Sequence, residues 1–276
     1  MRIGIISDIH SNLTAFKLIM QKLQEEQVEK FFFLGDYITD GYQDNEVLDI
    51  IKNLNAKVIL GNREGYIINI INNFDIGKNY NNKKTLYNTA KMLTNENKQY
   101  ISGLPSKLII ELYGIKILLI HGNNPLLKPQ NFSEFDKLIN NNDFDVCFYG
   151  HIHKAACFWY KDKLFINPGS CGEPIDGPYY SCGIFDISKD KVNYKRIKIS
   201  TEIDYLKIEK EYKQSPYYHN NPEWGDIVLR GITKGNDEVK TFINKVNEQI
   251  KNYKYIKEDK YNNIWYNCYN EIIKRK

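Results

Sequence analysis

The chain has 276 residues, of which 42% are hydrophobic and 26% are charged. This composition is typical of a globular protein with one substantial core, and it excludes a disordered chain and a membrane-spanning one. The formal net charge of +4 comes from scattered basic residues, so it mildly favours anionic substrates and does not indicate nucleic-acid binding.

Cysteine usage and the start of the chain indicate a cytoplasmic protein. The five cysteines are odd in number and include no Cys-x-x-Cys pair, which argues against a disulfide framework and against a cysteine zinc site. The residues before Asp8 are too few for the apolar core of a signal peptide, and no later apolar run approaches the length of a membrane span. We therefore expect reduced thiols and no association with membranes.

Short apolar runs alternate with amphipathic segments in the first half of the chain. The runs with the length and the β-branched or aromatic content of buried strands are residues 3–6, 31–34, 58–60, 115–120 and 146–149. Apolar residues at helical spacing occupy 13–23 and 47–54, and a longer helix is predicted over 83–101. This alternation predicts a layered α/β domain.

The pattern changes after residue 155. Strand-like runs separated by turn residues cover 157–160, 164–166, 180–187 and 192–199, and they predict a second, more antiparallel sheet. Helices are predicted at 203–212, 239–250 and 261–273, around a polar link at 215–222. We therefore predict two domains, residues 1–200 and an α-helical extension over 201–276.

Polar side chains follow five of the predicted strands, at the point where each strand ends, which is where open α/β sheets place their ligand sites. Each side chain alone has a plainer interpretation: Asp8 as a helix N-cap, Asp36 as a turn acid, or His121 as a core histidine satisfied by backbone. Asn62 alone fits a left-handed turn. The ordered set favours a ligand site, whose members are Asp8, His10, Asp36, Asn62, His121, His151 and His153.

This ordered set resembles the calcineurin-like metallophosphoesterase superfamily, whose motifs are Asp-x-His, Gly-Asp, Gly-Asn-His-Asp/Glu, His and Gly-His-x-His. The resemblance covers about the first 200 residues. It implies an α/β fold, a four-layer αββα sandwich of two mixed sheets, here with a C-terminal helical extension. Residues 167–174, Asn-Pro-Gly-Ser-Cys-Gly-Glu-Pro, resemble a segment of the small bacterial and archaeal phosphodiesterase branch, although a simple turn is the plainer interpretation.

The resemblance also implies two divalent metal ions per chain. By position, Asp8, His10 and His153 would hold one ion, Asn62, His121 and His151 the other, and Asp36 would bridge both. Imidazole and hard oxygen ligands suit Mn²⁺ best here, with Fe or Zn²⁺ as alternatives. Such a pair of cations would generate hydroxide near neutral pH and would clamp the phosphoryl oxygens during in-line displacement.

Arg63 departs from the family pattern, in which histidine usually follows the asparagine. Arginine donates bidentate hydrogen bonds to phosphate but does not readily give up a proton. We expect Arg63 to act as a charge clamp oriented by Glu64, which would favour leaving groups of low pKa; a surface salt bridge without a role in turnover is the alternative. The expected catalytic residues are Asp36, Asn62, Arg63 and His121.

Three functional hypotheses follow from the resemblance. The first is a phosphodiesterase that hydrolyses a small phosphodiester or nucleotide by a bridging metal-bound hydroxide. The second is a phosphomonoesterase, a protein phosphatase or a diadenosine polyphosphate hydrolase. The third is a non-catalytic binding scaffold, as in the retromer subunit of the superfamily; it is the least favoured, because a non-catalytic descendant has no evident reason to keep all seven ligands.

The C-terminal region is rich in aromatic residues, namely Tyr217, Tyr218, Trp224, Trp265 and Tyr266. Packing of amphipathic helices against the parent domain is the favoured interpretation. A homo-oligomer formed through these helices is the second, and stacking of a nucleobase is a further alternative.

Overall fold

The computed structural model describes residues 1–72, 80–124, 126–189, 191–200 and 203–274, and within them it contains two five-stranded sheets. The first sheet has the spatial order Val192–Ile199 (β10), Tyr180–Ile187 (β9), Arg2–Ile6 (β1), Lys30–Phe33 (β2) and Ala56–Val58 (β3). The second has the order Lys107–Leu112 (β4), Ile115–Ile120 (β5), Val146–Phe148 (β6), Lys163–Asn167 (β8) and Ala156–Tyr160 (β7).

Both sheets are mixed. The prediction that the strand-like runs after residue 155 form a second sheet of their own is wrong, because β9 and β10 join the first sheet and β7 and β8 join β4, β5 and β6. In the first, β1, β2 and β3 run parallel, while β9 pairs antiparallel with β1 and with β10. In the second, β5, β6 and β8 run parallel, and the flanking strands β4 and β7 are antiparallel. The carboxyl ends of the parallel strands in each sheet therefore lie along one edge.

Helices form the outer layers. Those of the first two hundred residues are Leu13–Glu25 (α1), Asp44–Lys52 (α2), Asn62–Asn72 (α3), Asn81–Met92 (α4), Asn95–Ser102 (α5) and Phe132–Asn141 (α6). Those that follow are Tyr205–Lys213 (α7), Pro216–Asn220 (α8), Pro222–Lys234 (α9), Glu238–Ile250 (α10) and Glu258–Ile273 (α11). Within the described chain, no helix combines the length and the apolar character needed to cross a bilayer.

Successive side chains of a strand point to opposite faces of its sheet, and this alternation builds the layers. Ile5 of β1 and Leu119 of β5 meet in the buried cluster between the two sheets. Phe16 of α1 belongs to the cluster on the outer side of the first sheet, and Phe135 of α6 packs on the outer side of the second. The layers are thus helix, sheet, sheet and helix, which confirms the predicted αββα sandwich.

The C-terminal helices continue the helical layer next to the first sheet. Trp224 of α9 and Trp265 of α11 are buried, their rings stack with centroids 5.8 Å apart, and they join the same hydrophobic cluster as Phe16 of α1. Tyr217 is also buried, whereas Tyr266 is 53% exposed. Most of the aromatic residues therefore pack in the core. The domain boundary at residue 200 stays a prediction, and residues 201 and 202 lie outside the described ones.

One predicted helix and one predicted link differ from the structure. The long helix over 83–101 is two helices, α4 and α5, because Leu93 is extended and the Thr94 side chain caps α5 by accepting from the Asn97 backbone N–H. The predicted polar link at 215–222 contains α8 and the start of α9. Pro216 and Pro222 stand in the first turns of these helices, where proline is favoured because no intrahelical N–H bond is lost.

The segment that follows β8 is more than a turn, because it is hydrogen-bonded to the chain that follows β1. The backbone N–H groups of Cys171 and Gly172 donate to the carbonyls of Ser7 and Asp8, both at 2.9 Å, and Ser170 Oγ donates to the Asp8 carbonyl at 2.8 Å. A Cβ on Gly172 would lie 1.8 Å from the Ile9 carbonyl oxygen. This backbone contact requires glycine and fixes the loop that carries Asp8.

We predict that Gly172→Ala lowers the free energy of unfolding by about 1–3 kcal/mol, because the added methyl group overlaps backbone that cannot rotate away. Gly65→Ala in α3 is the matched control: nothing lies within 4 Å of its new Cβ, and alanine in a helix should add about 0.5–1 kcal/mol. Urea unfolding monitored by circular dichroism measures both. Equal stability of the two variants would show that the loops are not held by this contact.

Candidate metal centre

The predicted ligands come from five loops at the carboxyl ends of strands, and the fold brings them together at the edge between the sheets. Ligand atoms of Asp8, His10 and His153 lie within 4.8 Å of one another, and so do those of Asp36, His121 and His151. The side-chain oxygen of Asn62, at the start of α3, lies 3.0 Å from His121 Nε2. All seven residues therefore meet in two adjoining groups.

Asp36 lies between the two groups. Its Oδ2 is 3.2 Å from His121 Nε2 in one group and 3.9 Å from His10 Nε2 in the other. Its Oδ1 accepts the backbone N–H of Arg63 at 2.8 Å, at the N-terminus of α3. One carboxylate oxygen is thereby fixed, and the other faces both groups, which is the position predicted for a bridging ligand.

Three histidines have their Nδ1 atoms engaged on the side away from the centre. The acceptors are the Leu34 carbonyl for His121 at 2.7 Å, the Glu173 carbonyl for His153 at 2.7 Å, and Asp40 Oδ2 for His10 at 3.1 Å. Each Nδ1 donates to its acceptor, so in the neutral imidazole each Nε2 presents a lone pair to the centre. Such acceptors are the usual partners that orient metal-binding histidines.

The Nε2 atoms of His10 and His153 lie 3.1 Å apart. With both Nδ1 atoms protonated, two lone pairs would face each other at this distance and repel unless a proton or a cation lies between or beside them. The arrangement therefore fits a cation in the first group.

Buried negative charge dominates the centre. Asp8, Asp36 and Asp40 are at most 2% exposed and Glu173 is 9% exposed, while Arg63 is the arginine that faces them. Buried carboxylates in such excess are costly unless cations compensate them. Together with the histidine donors, this excess makes the residues fit divalent cations.

The same charges shift the pKa values of the histidines. Burial by itself lowers the pKa of a histidine, but Asp36 outweighs burial at His121 and raises its pKa to about 9. In the same way Asp8 outweighs burial at His153 and raises its pKa to about 10. The centre therefore attracts positive charge, and a proton and a divalent cation would compete for these nitrogens.

The backbone of the ligand loops is strained. Five of the seven predicted ligands have positive φ angles between 49° and 68°, namely Asp8, His10, Asp36, His151 and His153. A non-glycine residue in this left-handed region costs about 1–2 kcal/mol. Strain of this kind persists only where the surrounding contacts fix it, and it clusters at functional sites.

Arg63 pairs with a different residue from the one expected. Its NH2 group lies 2.8 Å from Asp40 Oδ2, and the Asp40 side chain is 2% exposed. The expectation that Glu64 orients Arg63 is wrong, because the Glu64 carboxylate instead accepts backbone N–H groups from four loop residues. These are Asp36 at 3.0 Å, Tyr37 at 2.8 Å, Ile38 at 3.3 Å and Gly61 at 2.9 Å.

Glu64 therefore joins the loop that follows β2 to the loop that follows β3. Since the pair formed by Arg63 and Asp40 is largely buried, it is not the surface salt bridge that the sequence left open as an alternative.

Asp40 connects the centre to the C-terminal helices. Besides His10 and Arg63, its carboxylate accepts Trp224 Nε1 of α9 at 2.9 Å, and its backbone carbonyl accepts the Tyr212 hydroxyl of α7. Burial opposes its ionisation, but Arg63 and His10 outweigh burial and hold the pKa of Asp40 at about 2. Sequence reasoning assigned Asp40, Glu173 and Trp224 no place at the centre, because none of them belongs to a motif position with a fixed ligand role.

All five cysteines are free, as expected, and none of them belongs to the groups of candidate ligands.

A four-layer sandwich with two such ligand groups at one sheet edge defines a metallophosphoesterase type of protein. Residues 1–190 match the family model described as the calcineurin-like phosphoesterase superfamily domain, and the chain belongs to this superfamily.

Two curated relatives come from Methanocaldococcus jannaschii. The uncharacterized protein MJ0912 is 30% identical over 241 residues, which cover 80% of this chain and 94% of the relative. Phosphodiesterase MJ0936 is 28% identical over 191 residues, covering 68% of this chain and 95% of the relative.

Solved structures show the same fold. The hypothetical protein PH1004 of Pyrococcus horikoshii superposes with a TM-score of 0.66 at 20% identity, over 85% of this chain and 98% of that one. A metallophosphoesterase of Sphaerobacter thermophilus gives a TM-score of 0.64 at 22% identity, over 85% and 99%.

We predict that the purified protein binds about two equivalents of divalent metal per chain and that His121→Ala removes at least one of them, because Nε2 of His121 faces both Asn62 and Asp36. His219→Ala, an exposed histidine outside the site, is the matched control and should leave the metal content unchanged. Elemental analysis after dialysis measures both. If the wild-type protein holds no metal after reconstitution with Mn²⁺, Fe²⁺ or Zn²⁺, the assignment of these residues as metal ligands is wrong.

Proposed function

We propose that the protein is a metal-dependent phosphodiesterase that hydrolyses a small phosphodiester or nucleotide. The observation that supports this most directly is the position of Asp36 between two groups of histidine and carboxylate ligands. The likeness to phosphodiesterase MJ0936 supports the same reaction class. A non-catalytic scaffold would gain nothing from the strained ligand loops, which cost stability at five positions.

In this proposal the two groups hold one divalent ion each, with Asn62 completing the group of His121 and His151. Imidazole nitrogen and carboxylate oxygen donors favour Mn²⁺, with Fe or Zn²⁺ as alternatives. When bound, such ions stabilise charge on phosphoryl oxygens and lower the pKa of water. The free cysteines agree with a reduced, cytoplasmic protein.

The chain's own residues would bind and orient the phosphate. Arg63 lines the cavity beside the centre together with His151 and His153, and its partner Asp40 holds the guanidinium in place. The guanidinium can donate to a phosphoryl oxygen and stabilise the charge that develops there. Because the pKa of Arg63 is raised further by Asp40 in spite of burial, Arg63 stays charged and does not protonate the leaving group.

We expect the Mn²⁺-loaded protein to hydrolyse bis-p-nitrophenyl phosphate faster than p-nitrophenyl phosphate. Chelation should abolish the activity and added Mn²⁺ should restore it, because the ions would supply charge stabilisation and a lowered pKa of water that the side chains alone do not supply. Release of p-nitrophenolate measures both rates, with Asp36→Asn as the inactive variant and His219→Ala as the active control. Chelator-insensitive hydrolysis, or none with any of the three metals, would refute a metal-dependent phosphodiesterase.

We expect Arg63→Ala to lower kcat/KM for the diester by about 100-fold, because it removes a donor to the charge that develops in the transition state. Arg63→Lys keeps the positive charge but lacks the paired N–H donors of the guanidinium, so it should recover part of the lost kcat/KM. Arg2→Ala, which removes an exposed pair with Asp186, is the remote control.

The metal content of the Arg63 variants must equal that of the wild type, because Arg63 also neutralises Asp40. If Arg63→Ala costs no more activity than Arg2→Ala, the clamp role is wrong.

A further inference from the structure

A cavity of about 400 Å³ opens directly beside the metal centre. Arg63, His151 and His153 line its inner end. This volume lies within the range of roughly 300–1,000 Å³ for small-molecule sites. At roughly 30 Å³ per water it holds about a dozen waters, which is much more space than a phosphate group needs.

The C-terminal helices form the wall of this cavity that carries no candidate ligand. Val228 and Ile232 of α9 line it, and so do Val239 and Ile243 of α10. Each pair is spaced four residues apart, so each helix presents one apolar stripe to the cavity. We name these four side chains the α9–α10 wall.

The side chains of the α9–α10 wall are not all buried in the hydrophobic core. Val228 and Ile232 are at most 6% exposed, but Val239 and Ile243 are only partly buried and pack at the edge of the hydrophobic cluster. Lys128, Asn236 and Lys240 also line the cavity and are exposed, and Asp237 is half-buried, so these polar groups remain in contact with solvent. An occupant beside the wall therefore meets methyl and methylene groups, while its phosphate meets Arg63 and the ligand loops.

We propose that the α9–α10 wall binds an apolar ester group of the substrate, so that the preferred substrates are phosphodiesters with one aromatic or branched aliphatic ester arm. This inference rests on the proposed phosphodiesterase function and names its substrate class. Each methylene buried against such a wall improves binding by about fourfold. The C-terminal helices thus determine specificity, while the loops of the sandwich carry out the reaction.

The test keeps the leaving group constant and changes only the other ester arm. Methyl p-nitrophenyl phosphate and phenyl p-nitrophenyl phosphate both release p-nitrophenolate, and their kcat/KM values are each divided by the rate of uncatalysed alkaline hydrolysis. With Mn²⁺-loaded wild-type protein we expect a preference for the phenyl diester of about 10- to 100-fold. Binding of phenylphosphonate, measured by calorimetry, should be tighter than that of methylphosphonate by a similar factor.

Ile243→Trp fills the cavity from α10 and should reduce kcat/KM for the phenyl diester at least tenfold while changing that for the methyl diester less than threefold. Asn244→Trp, the neighbouring exposed position of the same helix, is the matched control and should keep the wild-type preference. Ile243→Gln makes the wall polar without adding bulk, so it should also reduce the preference, and it replaces Ile243→Trp if that variant does not fold.

The outcomes separate the two proposals. Equal rates for the two diesters with wild-type protein, or a loss in Ile243→Trp and Ile243→Gln that is the same for both diesters, would overturn the substrate class and leave the phosphodiesterase function in place. Hydrolysis of neither diester with Mn²⁺, Fe²⁺ or Zn²⁺ would overturn both.

Discussion

The structure depends on a concentration of negative charge at one edge of two packed sheets. Asp8 and Asp36 are almost completely buried within reach of several histidines, and the buried Asp40 pairs with Nδ1 of His10. Carboxylates do not stay ionised in such a place unless positive charge accompanies them. The folded chain provides positive charge through Arg63 and the imidazoles. Divalent cations would compensate the rest of the negative charge. The strained backbone of the ligand loops is consistent with this constraint, because it persists only where surrounding contacts fix it.

Two acidic residues outside the predicted ligand set, Glu64 and Asp40, hold the ligand loops together. Glu64 accepts backbone N–H groups from both the loop that follows β2 and the loop that follows β3. Burial and the nearby Asp36 raise the pKa of Glu64 to about 7, yet all its hydrogen bonds are from donors, which favours the ionised form. Asp40 likewise links His10 to Arg63. The ligand geometry is therefore held by a layer of charged hydrogen bonds as well as by the sheets.

The sequence predicted the layered fold and the membership of the centre because both depend on local pattern. Buried strands have short apolar runs, and polar residues that follow such strands are candidates for a ligand site. That Asp36, after β2 of the first sheet, and His121, after β5 of the second, share one centre was implied by the resemblance to the superfamily. The partner of Arg63 could not be predicted from the sequence. Asp40, four positions after Asp36, and Glu64, adjacent to Arg63, are equally plausible partners. Only the turn after β2, with Asp40 at φ 69°, decides in favour of Asp40.

Helices α8 and α9 of the helical extension were not predicted from the sequence. A polar segment with two prolines resembles a linker, yet proline in the first turn of a helix begins α8 and α9. Trp224, two residues into α9, then reaches Asp40, so the position of this helix is tied to the charge network of the centre. The same helix turns Val228 and Ile232 toward the cavity. Because one helix carries both contacts, the charge that holds Arg63 and the apolar side of the cavity cannot shift independently of each other.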